Sequence, residues 1–118
     1  MNDIVAQYLE AWNATDPTAR KAAVARVFAA DAAYTDPLMA VRGHEEIDAG
    51  IAAAQGQFPG WVFRLAGPID AHHDQVRFTW ELGPVDGPAV VIGFDVAVVA
   101  EGRISAVYGF LDKVPASA

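Results

Sequence analysis

Cysteine is absent from this 118-residue chain, which excludes disulfide bonds, thiolate metal sites and a cysteine nucleophile. Basic residues are also few: eight lysines and arginines stand against fifteen aspartates and glutamates, and the net charge is −7 at pH 7. Affinity for nucleic acids comes largely from cations placed against phosphates. We therefore expect no nucleic-acid partner.

Long hydrophobic runs are missing as well. The most apolar segment, Ala89 to Ala100, is too short to span a bilayer, and the first ten residues lack the basic and apolar regions of a secretory signal. We therefore expect a cytoplasmic protein without a membrane contact. Apolar residues make up 53% of the chain and charged residues 19%, a composition typical of a folded domain. The length predicts one domain over residues 1–114, followed by a flexible tail at 115–118.

The first half of the sequence predicts three helices. Apolar residues recur at helical spacing between Asp3 and about Ala14. Asp16 followed by Pro17 is typical of an N-cap and a first helical residue, and the helix that begins there is expected to end near Ala30. A third helix is expected to begin near His44, with acidic residues in its first turn.

The second half changes to an alternation of apolar and polar residues, which is typical of strands. A short extended piece, Ala33 to Thr35, is also expected between the second and third helices. The later strands are predicted from Trp61 to a stop at Gly67-Pro68, from Val76 to Leu82, from Ala89 to Ala100 and from Arg103 to Asp112. Helices followed by a run of strands predict an α+β fold, a cystatin-like cone in which N-terminal helices pack on a curved antiparallel sheet.

Asp95 is the only charged residue in the strand AVVIGFDVAVVA. Alternation places it on the same face as the small residues Gly93 and Ala97, which leaves room beside the carboxyl. Burial without a cation would raise its pKa, so that it can be neutral near pH 7 and donate a hydrogen bond. The alternative is a carboxylate that reaches the rim of the sheet or pairs with Arg77 or Arg103.

Two further residues are candidates for chemistry. Tyr8 shares the apolar stripe of the first helix, so its ring is expected to point inward and its hydroxyl to need a partner, which in an ordinary core would be a backbone carbonyl. Asp36 ends the extended piece before Pro37, where it could face the mouth of a cavity or could serve only a local turn.

Several segments of the chain resemble the nuclear transport factor 2-like superfamily, and within it the ketosteroid isomerases and the SnoaL-like polyketide cyclases. The resemblance covers nearly the whole chain. It is carried by YLEAWN with Asp16, by FAADAAYTDP, by GHEEI, and by the closing hairpin from Gly93 to Ile104.

The resemblance implies roles for three residues. Tyr8 and Asp95 match the tyrosine and the protonated carboxylic acid that hold the enolate oxygen in ketosteroid isomerases, and Asp36 matches their general base. Ketosteroid isomerases keep that carboxylic acid neutral, so the resemblance also implies a raised pKa for Asp95. The resemblance implies an enzyme that transfers a proton on a hydrophobic carbonyl compound through an enolate, without a cofactor. Enolisation also begins an aldol cyclisation, so the cyclase reaction stays open. Epoxide hydrolases of this superfamily also resemble the chain, but they need an Arg-x-Asp motif on a middle strand and another Asp on the last strand. Here Arg77 is followed two residues later by Thr79, and Gly109 stands where the other Asp would be expected, so epoxide hydrolysis is disfavoured.

We predict that the substrate pocket is lined mainly by aromatic side chains, together with Met39 and Gly93. The full set is Trp12, Tyr34, Met39, Phe58, Trp61, Phe63, Trp80, Gly93 and Tyr108. The pair His72-His73 does not indicate a metal site, because adjacent strand residues point to opposite faces; a solvated hairpin tip is expected there.

The alternative to an enzyme is a non-catalytic domain of the same fold that binds a small ligand or forms a dimer, with Asp36 and Asp95 in structural roles. A homodimer is expected by resemblance. The outer face of the strand that holds Val90, Ile92, Val96 and Val98 is apolar and would need a cover.

Overall fold

Three helices lie on one face of a six-stranded sheet in the computed structural model, which describes residues 1–115. The helices are α1 (Asn2–Asn13), α2 (Pro17–Val27) and α3 (Gly43–Gln57). The strands are β1 (Phe28–Thr35), β2 (Ala40–Arg42), β3 (Trp61–His72), β4 (Gln75–Pro84), β5 (Val91–Ala100) and β6 (Arg103–Lys113). The α+β cone that the sequence predicts is confirmed. The tail predicted at 115–118 lies outside the described residues apart from Pro115.

The sheet has the strand order β2-β1-β6-β5-β4-β3. All neighbouring pairs are antiparallel except β1 and β6, which run parallel, so the sheet is mixed rather than wholly antiparallel as expected. Strand β1 follows the helix α2 directly and lies beside the last strand, β6, in the sheet. Asp36, at the end of β1, is thereby brought next to Gly109 of β6.

Two element ends differ from the sequence predictions. Helix α2 ends at Val27, three residues before the expected Ala30, because Phe28 already pairs with Ile104 and is fully buried. Strand β3 continues past Gly67-Pro68 to His72; the register shifts between Ala66 and Asp70, and this bulge accommodates the proline.

The inner face of the sheet and the inner sides of the helices form the hydrophobic core. On β5, Val91, Gly93, Asp95 and Ala97 face inward while the residues between them are half-buried, as the alternation predicts. The outer face is also apolar: Phe94 stacks on Phe110 at 5.0 Å, and Tyr108 and Phe110 are each about half exposed. His72 and His73 lie at an exposed hairpin end. No helix within residues 1–115 is long and apolar enough to cross a membrane.

Gly93 allows a close contact between neighbouring strands in the core. A Cβ atom there would lie 2.5 Å from the carbonyl oxygen of Phe110 and would overlap the ring of Trp80, which covers the glycine. The Trp80 ring is fixed on the inner face of β4 by this contact, because Trp80 and Gly93 are direct cross-strand partners.

Gly93→Ala should therefore destabilise the protein by about 1–3 kcal/mol, because the added methyl group must displace Trp80 or the backbone of β6. Gly56→Ala is the matched control: nothing lies within 4 Å of its Cβ position, and alanine favours the helix. Urea unfolding of both variants measures the difference. Equal stability of the two variants would contradict this packing.

Candidate active site

A cavity of about 710 Å³ lies between the helices and the inner face of the sheet. Helices α1 and α3 and strands β1, β3, β4, β5 and β6 all contribute to its wall, which is mostly apolar. The aromatic part of the wall comes from Tyr8, Trp12, Tyr34, Phe58, Phe63 and Trp80. Asp36 and Asp95 also line it, so the three predicted catalytic residues share one cavity.

Tyr8 and Asp95 form a buried hydrogen bond. The Tyr8 hydroxyl donates to Oδ2 of Asp95 at 2.6 Å, and the two residues are 2% and 3% exposed. Edge-to-face contacts with Phe28 and Phe78 hold the Tyr8 ring in place. The partner of the tyrosine is thus a carboxyl rather than the backbone carbonyl of an ordinary core tyrosine.

Asp95 has no cation as a partner within residues 1–115. Of the two arginines considered as partners, Arg77 lies in a surface pair with Asp70 at 3.4 Å, and Arg103 is exposed. The interpretation of Asp95 as an arginine-paired or rim carboxylate is therefore wrong. Its Oδ1 atom is buried without a hydrogen-bond partner among the described residues.

Burial raises the pKa of Asp95 from 3.8 to about 6. The hydrogen bond from Tyr8 and the nearby Trp80 indole act in the opposite direction, and the charge of Asp36 adds to the rise. The direction agrees with the sequence prediction. A value of about 6 means that Asp95 holds its proton below that pH and is mainly ionised at pH 7.

Asp36 combines the two roles that the sequence left open. Its Oδ1 accepts the backbone N–H groups of Leu38 (2.8 Å) and Met39 (3.0 Å), which fixes the turn after β1. Its Oδ2 accepts the hydroxyl of Tyr34 at 2.7 Å, and the residue lines the cavity. Asp36 therefore holds the local turn and faces the same hollow as Asp95.

Gly109 separates the two carboxyl groups. A Cβ atom at this position would lie 2.8 Å from Oδ1 of Asp95 and 3.3 Å from Cβ of Asp36. Only a residue without a side chain lets both aspartates approach β6 from opposite sides at this point. In the sequence analysis Gly109 matters only as the position where epoxide hydrolases have an aspartate. Its role between the two carboxyl groups could not be predicted, because it depends on the parallel pairing of β1 with β6.

Three of the residues predicted for the pocket lie elsewhere. Tyr108 is 51% exposed on the outer face, because alternation on β6 turns Gly109 inward. Gly93 is covered by Trp80, so the predicted open space beside it is filled. Trp61 does not line the cavity and stacks on Phe58 at 4.8 Å. The cavity is lined by the remaining predicted residues, which are Trp12, Tyr34, Met39, Phe58, Phe63 and Trp80.

Helix α3 contributes lining residues that the sequence analysis did not identify. Gly50, Ala53, Ala54 and Gln57 lie on the cavity wall. In the sequence these residues could have been found from the run of small side chains in the last two turns of the helix. Small side chains extend little from the helix and therefore leave the cavity open. No group of three or more histidine, cysteine, aspartate or glutamate residues within residues 1–115 is arranged to hold a metal ion.

Comparison with known families places the chain. The SnoaL-like domain matches residues 5–107, and the protein belongs to this family. A comparison with curated proteins found no match. Among solved structures, a proposed isomerase of the SnoaL-like family from Agrobacterium tumefaciens is 44% identical, with 94% of this chain and 96% of that chain covered and a TM-score of 0.90.

More distant structures share the fold. A proposed polyketide cyclase from Sinorhizobium meliloti is 21% identical with a TM-score of 0.73, covering 92% of this chain and 94% of that one. A proposed ketosteroid isomerase from Kribbella flavida is 17% identical with a TM-score of 0.70, covering 98% of this chain and 80% of that one. The resemblance that the sequence motifs indicate is thus confirmed at the level of family and fold.

The buried carboxyl makes stability depend on pH. Because the folded state binds the Asp95 proton more tightly than the unfolded chain, the stability that this proton supplies is complete below pH 3.8 and is lost as the pH rises through about 6. The loss corresponds to about 3 kcal/mol. Asp95→Asn cannot ionise and should lack this dependence. Between pH 4 and pH 7.5 the free energy of unfolding of the wild type should therefore fall relative to that of Asp95→Asn. Urea unfolding at both pH values measures it; parallel pH dependence of the two proteins would contradict the assignment.

Proposed function

We propose that the protein is a cofactor-independent acid–base enzyme that moves a proton on a hydrophobic carbonyl compound through an enolate. The observation that supports this proposal is the meeting of Tyr8, Asp36 and Asp95 in one largely apolar cavity. The family relationship supports the same reaction class, since its structural neighbours are proposed isomerases and a proposed cyclase.

Asp36 serves as the general base in this proposal. Abstraction of a proton from the carbon beside a carbonyl requires a carboxylate that is held in place within the cavity. The turn contacts with Leu38 and Met39 and the hydroxyl of Tyr34 fix the position of the Asp36 side chain. The proton taken up by Asp36 is returned to a second carbon of the same enolate, which moves the double bond.

Tyr8 and Asp95 stabilise the negative charge that develops on the carbonyl oxygen. Burial raises the pKa of Tyr8 well above 10, so its hydroxyl remains a neutral donor. Below pH 6 the Asp95 carboxyl is protonated and can donate a hydrogen bond to the carbonyl oxygen of the substrate. The Tyr8 hydroxyl, which otherwise donates to Asp95, can then donate to that same carbonyl oxygen. Two donors aimed at one developing oxyanion in an enclosed site are a strong source of rate enhancement.

The same arrangement supports an intramolecular aldol cyclisation, because both reactions begin with an enolate. The cavity volume of about 710 Å³ is large enough for a bicyclic or polycyclic ligand and leaves room for a chain to fold back on itself. We therefore propose an isomerase or a cyclase as the enzyme class.

A non-catalytic binding domain is the second candidate. It is favoured by the two backbone hydrogen bonds of Asp36, which are sufficient to explain an aspartate at the end of β1. In that case the carboxyl would be needed for the turn and not for the reaction. A variant that preserves the turn separates the two functions.

Asp36→Asn is that variant, since its amide oxygen still accepts the two backbone N–H groups. With a β,γ-unsaturated ketone at pH 5, we expect the wild type to form the conjugated product and both Asp36→Asn and Asp36→Ala to be slower by about 100-fold or more. The absorbance of the conjugated ketone measures the rate. Equal rates for wild type and Asp36→Asn would leave Asp36 only its structural role.

A second copy of the chain is proposed to cover the outer face of the sheet, where Phe94, Tyr108 and Phe110 form an apolar surface. Phe110→Asp should then shift the sedimentation coefficient from that of a dimer to that of a monomer. Val85→Asp, which alters an apolar residue of the β4–β5 loop that is also more than half exposed, is the control. A wild-type monomer at micromolar concentration would refute the dimer.

A further inference from the structure

The wall of the cavity carries negative charge without compensation. The described residues that line it include two carboxyl groups, Asp36 and Asp95, and no lysine, arginine or histidine. The ion pairs found within residues 1–115 are Arg20–Asp48, Arg26–Glu10 and Arg77–Asp70, and all six partners lie outside the lining. When both carboxyl groups are ionised, they would therefore repel an anionic ligand from this site.

Every element packed around Asp95 presents a neutral or acidic group to it. Helix α1 presents Tyr8, β1 presents Tyr34 and Asp36, β4 presents Trp80, and β6 presents Gly109. Once Asp95 loses its proton, a carboxylate is left deep in the protein without a counter-ion. A buried charge in this state is costly, and a cation that enters the cavity relieves the cost.

The aromatic part of the wall suits a cation with an apolar body. Trp12 packs against Tyr34 and Phe63, with ring centroids 5.6 and 5.2 Å apart, and Phe63 packs against Trp80 at 5.5 Å. Such walls attract quaternary ammonium groups through the negative faces of the rings, and they offer apolar area to the rest of the ligand.

We propose that this cavity also binds a hydrophobic ammonium ion, with the nitrogen beside Asp95 and Asp36 and the apolar part against the ring cluster of Trp12, Tyr34, Phe63 and Trp80. The contact with the carboxyl groups is one of proximity, since a quaternary ammonium donates no hydrogen bond. The inference goes beyond the proposed reaction, because it concerns the form of the site in which Asp95 has no proton.

Three phenyl compounds with tetrahedral head groups of similar size test the proposal: phenyltrimethylammonium, tert-butylbenzene and benzenesulfonate. They carry charges of about +1, 0 and −1 and differ little in shape. By isothermal titration calorimetry at pH 8, we expect the ammonium to bind roughly ten-fold or more tightly than tert-butylbenzene and the sulfonate not to bind. Affinity for the ammonium alone should rise between pH 5 and pH 8.

Asp95→Asn should abolish the pH-dependent gain for phenyltrimethylammonium and leave tert-butylbenzene unaffected, which also shows that the cavity is intact. Asp70→Asn is the matched control: it changes the net charge by the same amount at an exposed site outside the cavity and should keep the gain. Equal affinity of the wild type for the charged and neutral compounds, or a gain that survives in Asp95→Asn, would overturn the proposal.

The measurement is independent of turnover. A wild type that prefers the ammonium but does not isomerise the unsaturated ketone would refute the proposed enzyme and retain the cation site. A wild type that isomerises the ketone and shows no preference among the three compounds would refute the cation site alone.

Discussion

The hydrogen bond between Tyr8 and Asp95 is the interaction on which the site depends. It joins the first helix to the middle of the sheet across the core, between two residues that are almost fully buried. No cation from the described part of the chain accompanies the carboxyl, so its protonation is set by burial, by the Tyr8 hydroxyl and by the charge of Asp36. The protonated form of the Asp95 carboxyl is the proposed donor to an enolate. The ionised form of the same carboxyl is the proposed partner of an ammonium ion.

Two glycines and one parallel strand pair create the space around that interaction. Gly93 lets the Trp80 ring pack directly against β5, and Gly109 lets Asp36 and Asp95 approach β6 from its two sides. The parallel pairing of β1 with β6 positions Asp36 beside Gly109. Small side chains on α3 then leave the hollow open toward the helices. The cavity thus results from close backbone approach on one side and from small side chains on the other.

Local patterns in the sequence predict most of these elements, because helical spacing, alternation and the Asp-Pro signals depend on neighbours along the chain. The burial of Asp95 follows from alternation in the same way. What local patterns do not contain is the pairing of β1 with β6, which joins distant segments and determines how close Asp36 comes to Asp95. The wrong placement of Tyr108 in the pocket has the same cause, because the inward face of β6 depends on the register of that strand against its neighbours. Gly93 does face inward, but its cross-strand partner Trp80 covers it.

The central claim is that Asp95 is a buried acid whose proton is held well above the ordinary pH range of an aspartate. Carbon-13 NMR of the side-chain carboxyl groups measures this directly, with Asp95→Asn used to assign the signal. The account predicts that the Asp95 signal titrates with a midpoint near pH 6. A midpoint near 3.8, the ordinary value for an aspartate, would contradict it.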